Sequence, residues 1–137
     1  MSVIRRWLFA ALALGLIGSA VELVLLEHYE DAWQVVPLAL IALAIVLLVW
    51  ELARPTPTTE RLLRTTMGLF VIAGAIGIGL HMNGAAEFQL EIDPQMARST
   101  LLTKVLHAKA PPAFAPGLMI QLGLLGLTFT FTKEKQP

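Results

Sequence analysis

The sequence predicts an all-α membrane protein. The expected fold is a four-helix transmembrane bundle with both termini cytoplasmic and an extracytoplasmic loop that contains a short amphipathic helix. Three observations predict it. Of 137 residues, 56% are hydrophobic and the mean hydropathy is +0.71, above the roughly 45–50% apolar content of soluble domains. The apolar residues gather into four runs, each close to the roughly 20 residues a helix needs to cross the hydrocarbon core. None of the runs alternates as barrel strands do, and in lipid only helices and closed barrels satisfy their own backbone groups. The length suits a single membrane domain over residues 1–137.

The first span runs from Trp7 to about Leu26 (7–26). Arg5 and Arg6 before it and Gly18-Ser19-Ala20 within it also give the outline of a signal peptide. Its apolar region is long for that role, which favours an uncleaved helix. The second span covers 35–52: Val35 to Trp50 is short by strict count, and Glu51 and Leu52 extend it by snorkelling or local thinning of the bilayer. Arg54-Pro55-Thr56-Pro57-Thr58-Thr59-Glu60 reads as a tight polar turn that ends in a helix cap. The third span covers 66–82.

The connection from Asn83 to Pro112, roughly thirty residues, is too long to be a passive link and predicts an outer cap over 83–112. Phe88-Gln89-Leu90-Glu91-Ile92 alternates apolar and polar residues as a short strand does. After Asp93-Pro94, Leu101, Leu102, Val105 and Leu106 fit one face of a helix lying at the membrane surface, with Arg98, Lys104 and Lys109 elsewhere around it. Pro111-Pro112 stops that helix, and Ala115-Pro116-Gly117 opens the fourth span, 113–131.

Ten basic and ten acidic residues give zero net charge, which argues against a nucleic-acid partner. The absence of cysteine excludes disulfides, thiolate metal sites and cysteine nucleophiles. With a cytoplasmic N-terminus, Arg5, Arg6, Arg54, Arg61, Arg64, Lys133 and Lys135 lie inside and only Arg98, Lys104 and Lys109 outside. This bias orients the bundle, and Trp7 and Trp50 at the inner interface and Trp33 at the outer one agree with it. The expected location is the bacterial cytoplasmic (inner) membrane, multi-pass. Glu27, Glu30, Asp31, Glu87, Glu91 and Asp93 then make the outer face acidic.

Several residues are candidates for packing or chemistry. Ala11, Gly15 and Ser19 recur every four residues, the small-residue spacing that lets helix backbones approach. Gly74 and Gly77 in the third span, with Ala73, Ala75 and Gly79, are expected to pack against the first span, within one chain or between protomers. Glu22 lies three residues beyond Ser19, where an ionisable group at membrane depth points to a cavity or a cation-handling role. Glu51 is expected to pair with Arg54. His28 and His81 end helices of the same direction and should share one layer, which His107 could also reach. His28, His81, Glu22, Asp31 and Glu91 carry the ligand chemistry of a divalent metal. A haem between the two histidines is the other cofactor they allow. Met82, Met96 and Met119 are dispersed and read as packing residues, and Gln121 as an interhelical hydrogen-bond donor. There is no phosphate loop, nucleophile elbow or metalloprotease motif, so catalysis has little direct support.

His28-Tyr29-Glu30-Asp31 with Gln34 and Pro37, His81, Glu87-Phe88, Glu91, Pro112, Ala115-Pro116-Gly117 and Met119 together resemble small bacterial four-helix integral membrane proteins. The resemblance covers nearly the whole chain and implies topology and bacterial origin, but no activity. The function expected first is a small membrane interaction or assembly protein, self-associating or an accessory subunit of a larger membrane complex. The alternatives are an extracytoplasmic divalent-metal or haem-binding module, and an oligomeric proton or cation pathway that uses Glu22.

Overall fold

The computed structural model describes residues 1–107 and 114–132. It contains five helices: α1 (Val3–Leu25), α2 (Ala32–Ala53), α3 (Pro57–Ile92), α4 (Arg98–Leu106) and α5 (Phe114–Phe131). The described residues contain no strand. All but α4 are long and apolar enough to cross a membrane, and these four define a multi-pass membrane protein. Arg5 meets Glu51 and Phe129 at one end of the bundle, and His28 meets His81 at the other. Neighbouring spans are therefore antiparallel. The end where α1 finishes is called distal below, and the end that holds Arg5 proximal.

Each helix start has a local cause. Ser2 caps α1 by accepting from the Arg5 amide, and Asp31 caps α2 by accepting from the Gln34 amide. Thr56 and Thr59 form a reciprocal capping box at the head of α3, with Pro57 in the first turn, where its missing N–H costs nothing. The core between the ends is apolar, with Leu12, Leu16, Ile41, Ala44, Leu63, Met67, Phe70 and Phe129 fully or almost fully buried.

The closest approach is between α3 and α5, and glycine permits it from both sides. A Cβ on Gly74 would lie 2.6 Å from the Pro116 carbonyl oxygen, and one on Gly123 would lie 2.7 Å from the Met67 carbonyl oxygen. Gly126 is closed over by the Met67 side chain, and Gly77 faces the Pro116 ring. Within the chain the partner of the Gly74 and Gly77 face is thus α5, not α1. The reason lies in α5: Gly123 and Gly126 thin its backbone face, whereas α1 presents Leu12 and Leu16 to the core. Gly15 of α1 packs on Leu122 of α5, Ser19 is buried, and Ala11 stays exposed.

One further expectation changes. The segment Phe88–Ile92 is the last part of α3, not a strand, so the third helix runs 36 residues. At 1.5 Å per residue it is about 54 Å long against a hydrocarbon core of about 30 Å, so part of it projects beyond the bilayer. A five-residue alternation with no partner strand cannot outweigh extending a helix that is already nucleated. α4 folds back on this projection, with Val105 buried and Leu101 half-buried, while Leu102 and Leu106 remain exposed. Lys109, Pro111, Pro112, Lys133 and Lys135 lie outside the described residues.

Candidate functional site

The distal end is built by a tightly specified turn. After Leu25 the chain closes α1 with two backbone bonds, Glu27 N–H to Val24 C=O at 3.1 Å and His28 N–H to Leu23 C=O at 2.9 Å. This is the Schellman pattern, with Glu27 at φ 52° in the left-handed position usually given to glycine. Three residues later Asp31 Oδ1 accepts from the Gln34 amide at 2.9 Å, while Gln34 Oε1 accepts from the Glu30 amide at 2.8 Å. Both ends of the turn are therefore fixed, and His28 is held at the top of α1 beside α3. Its ring lies nearly parallel to that of His81, 12° between planes and 6.1 Å between centroids.

Below this pair a cavity of about 690 Å³ opens among α1, α2, α3 and α5. That volume lies within the roughly 300–1,000 Å³ typical of small-molecule sites. Its walls are mainly apolar, with Leu23, Leu26, Ile41, Ala73, Leu80 and Met119 among them. Its polar residues are few: Ser19, Glu22, His28, Asp31, Gln34 and His81, with Trp33 and Phe114 adding aromatic surface. Among the described residues no lysine or arginine lines it. Pro37 also lines it and has no N–H to give the Trp33 carbonyl, so α2 carries an acceptor without its helical donor beside the cavity.

Ser19 is the informative member. It is only 8% exposed, yet its Oγ has no hydrogen-bond partner. Serine in a helix can satisfy itself on the carbonyl four residues back; here it does not. Leaving a buried hydroxyl unpaired costs on the order of 1–3 kcal/mol. Glu22, one turn nearer the distal end on the same face, is exposed and makes no ion pair among the described residues.

Four of the five residues expected to share a metal therefore line one cavity: His28, His81, Glu22 and Asp31. Glu91 does not. It stands ten residues beyond His81 on a continuous helix, about 15 Å further along the axis. His107 also stays away: it is exposed, ends α4, and its Nδ1 lies 2.9 Å from the Thr103 carbonyl oxygen. Among the described residues no three His, Asp or Glu side chains come together closely enough to hold a metal ion. The bis-histidine pair itself remains in place.

The proximal end carries a second polar cluster. Glu51, 3% exposed, pairs with Arg5 at 3.5 Å and accepts from Thr59 Oγ1 at 2.6 Å. Arg5 in turn lies 4.6 Å above the Phe129 ring. This replaces the expected Glu51–Arg54 pair. Arg54 ends α2 at φ −145°, exposed, so the helical spacing that would bring it over Glu51 is lost. One carboxylate ties α1, α2 and α3 together, a structural role.

The sequence alone did not single out Gly123, Gly126 or the cavity role of Pro37, Trp33 and Ser19. A Gly-x-x-Gly spacing in α5 and a proline inside an apolar run were the available signals.

Geometry thus defines a small multi-pass helical membrane protein with a pocket at one end of its bundle. Comparison with family models, with curated proteins and with solved structures gives no match.

Proposed function

We propose that this protein is a membrane binding protein that holds an apolar or amphiphilic small molecule in the distal cavity. One observation carries the reading: six polar residues, Ser19, Glu22, His28, Asp31, Gln34 and His81, line one otherwise apolar cavity of ligand size. Apolar walls with a few placed polar groups are the usual form of such sites. The charge bias of the sequence supports an inner-membrane protein with both termini cytoplasmic and the cavity toward the extracytoplasmic side.

The test uses Trp33, which lines the cavity, as an energy donor in a Trp7→Phe/Trp50→Phe background. The protein is placed in lipid nanodiscs and titrated with the apolar dye N-phenyl-1-naphthylamine. Saturable transfer is expected. Gly84→Phe should abolish it, because Gly84 lines the cavity and a Cβ there meets nothing within 4 Å. Transfer equal in both proteins overturns the reading.

A second reading, assembly with a larger membrane complex or with copies of itself, is supported by a different feature. The projecting part of α3 and α4 exposes Phe88 (60%), Ile92 (64%), Leu102 and Leu106 (53% each). Large apolar side chains left exposed on helices beyond the spans support partner binding. Mass measurement in mild detergent, before and after Phe88→Glu, tests it, and a lone monomer in both samples sinks it.

A further inference from the structure

We propose that the ligand class of the distal cavity is a lipophilic primary ammonium: an apolar tail carrying an –NH3+ head. The inference rests on the reading of the cavity as a binding site. It deepens that reading by assigning the head group, and Ser19, Glu22 and Asp31 assign it.

The sign of the charge comes first. Glu22 and Asp31 both line the cavity, and no lysine or arginine of the described chain does. A carboxylate or phosphate head would meet two like charges on the lining, whereas a cation meets two partners. The aromatic faces of Trp33 and Phe114 on the same lining favour a cation further. The acidic rim beyond, with Glu27 and Glu30, raises the local concentration of cations without contacting the ligand.

The donor count then separates a primary ammonium from a quaternary one. Ser19 Oγ is buried and has no partner, and it lies one helical turn below Glu22, on the face that lines the cavity. An –NH3+ group has three N–H donors. Seated between these two positions, it donates to the Glu22 carboxylate and to Ser19 Oγ. A third donor remains for the Trp33 carbonyl, whose helical donor Pro37 removes. A trimethylammonium head presents no N–H and leaves Ser19 orphaned. The apolar walls of Leu23, Leu26, Ile41 and Met119 take the tail. His28 and His81 stand at the mouth, where they can hydrogen-bond water or a polar tail end.

The experiment extends the dye assay with three competitors of equal chain length: octylamine, octyltrimethylammonium and octanoate. Octylamine should displace N-phenyl-1-naphthylamine, octyltrimethylammonium about tenfold more weakly, and octanoate not at all. Glu22→Gln should weaken octylamine by about tenfold or more relative to the dye, whose own affinity is measured on the same variant and which carries no ammonium. Ser19→Ala should reduce the preference of octylamine over octyltrimethylammonium. Repeating the titration in nanodiscs with and without phosphatidylethanolamine identifies the amine source. Loss of the octylamine response only with that lipid assigns the head group to a bilayer lipid, and an unchanged response to a free amine. Octanoate competing as well as octylamine, or octylamine binding unaffected by Glu22→Gln, overturns the ammonium proposal but leaves the cavity reading standing. Absence of dye binding that Gly84→Phe can abolish overturns the cavity reading itself.

Discussion

At the scale of single residues, two side chains hold energy that a substitution can expose. Glu27 adopts φ 52° so that the turn after α1 can close, and an L-residue with a Cβ pays on the order of 1 kcal/mol for that conformation. Glu27→Gly should therefore stabilise the protein by about 1 kcal/mol, read by reversible unfolding in mixed micelles, with dye binding unchanged because the backbone bonds that place His28 stay. Glu27→Val should destabilise, since a β-branched residue fits this conformation worst. The Glu51 carboxylate behaves differently, because it is buried while its partner Arg5 is half-buried, with a buried Nε that already lacks a hydrogen-bond partner. Glu51→Ala strands that guanidinium and should cost about 3–5 kcal/mol. Removing both charges, as Arg5→Met/Glu51→Leu, should recover most of the loss, and the difference between single and double variants measures the coupling. This pair was not legible in the sequence. Arg54, three residues away, looked the natural partner, and only the fold brings in Arg5 from 46 positions upstream.

At the scale of elements, the α3–α5 contact decides which glycines matter. Gly123→Ala pushes a methyl against the Met67 carbonyl and Phe70 Cβ, the latter at 3.0 Å. Backbone cannot retreat as a side chain can, so a loss of about 1–3 kcal/mol is expected. Gly18→Ala is the control: its Cβ would enter open space, and helix propensity predicts a gain of roughly 0.5–1 kcal/mol. Equal effects at the two positions, measured by the same unfolding assay, would remove glycine-mediated packing as the basis of the contact. The four spans were legible from hydropathy, because burial in lipid imposes one run per helix. The end of α3 was not. Polar residues after Met82, beginning with the turn signal Asn83-Gly84, looked like a loop, yet a helix leaving the membrane needs no apolar run to continue and tolerates a single glycine, and the first proline after Met82 is Pro94. The partner of Gly74 and Gly77 was equally hidden, since small-residue spacing marks a face and says nothing of what covers it.

At the scale of the whole molecule, half of the candidate site could be read from equal helix direction. His28 and His81 lie on helices of the same direction and share a layer, with 6.1 Å between their rings, although only His28 stands at a helix end: α3 continues eleven residues past His81 to Ile92. The cavity beneath them could not be read, because a void depends on which side chains fail to meet. The same topology fixes which residues share a side of the membrane, and the chain offers a clean test because it has no cysteine. Single cysteines at Glu30, Gln95 and Ser99 belong to the distal side, and one at Thr58 to the proximal side; all four positions are exposed. If the cation bias sets orientation, a membrane-impermeant maleimide added to intact cells with a permeable outer envelope should label the first three. Thr58→Cys should react only after the inner membrane is opened. Labelling of Thr58→Cys alone in intact cells reverses the orientation and would put the cavity on the cytoplasmic side. Labelling of Glu30→Cys without Gln95→Cys and Ser99→Cys would separate α4 from the distal end and contradict the antiparallel bundle itself. The three distal positions must react together, because α1, α3 and α4 are tied to one end by the His28–His81 pair and by the packing of Val105.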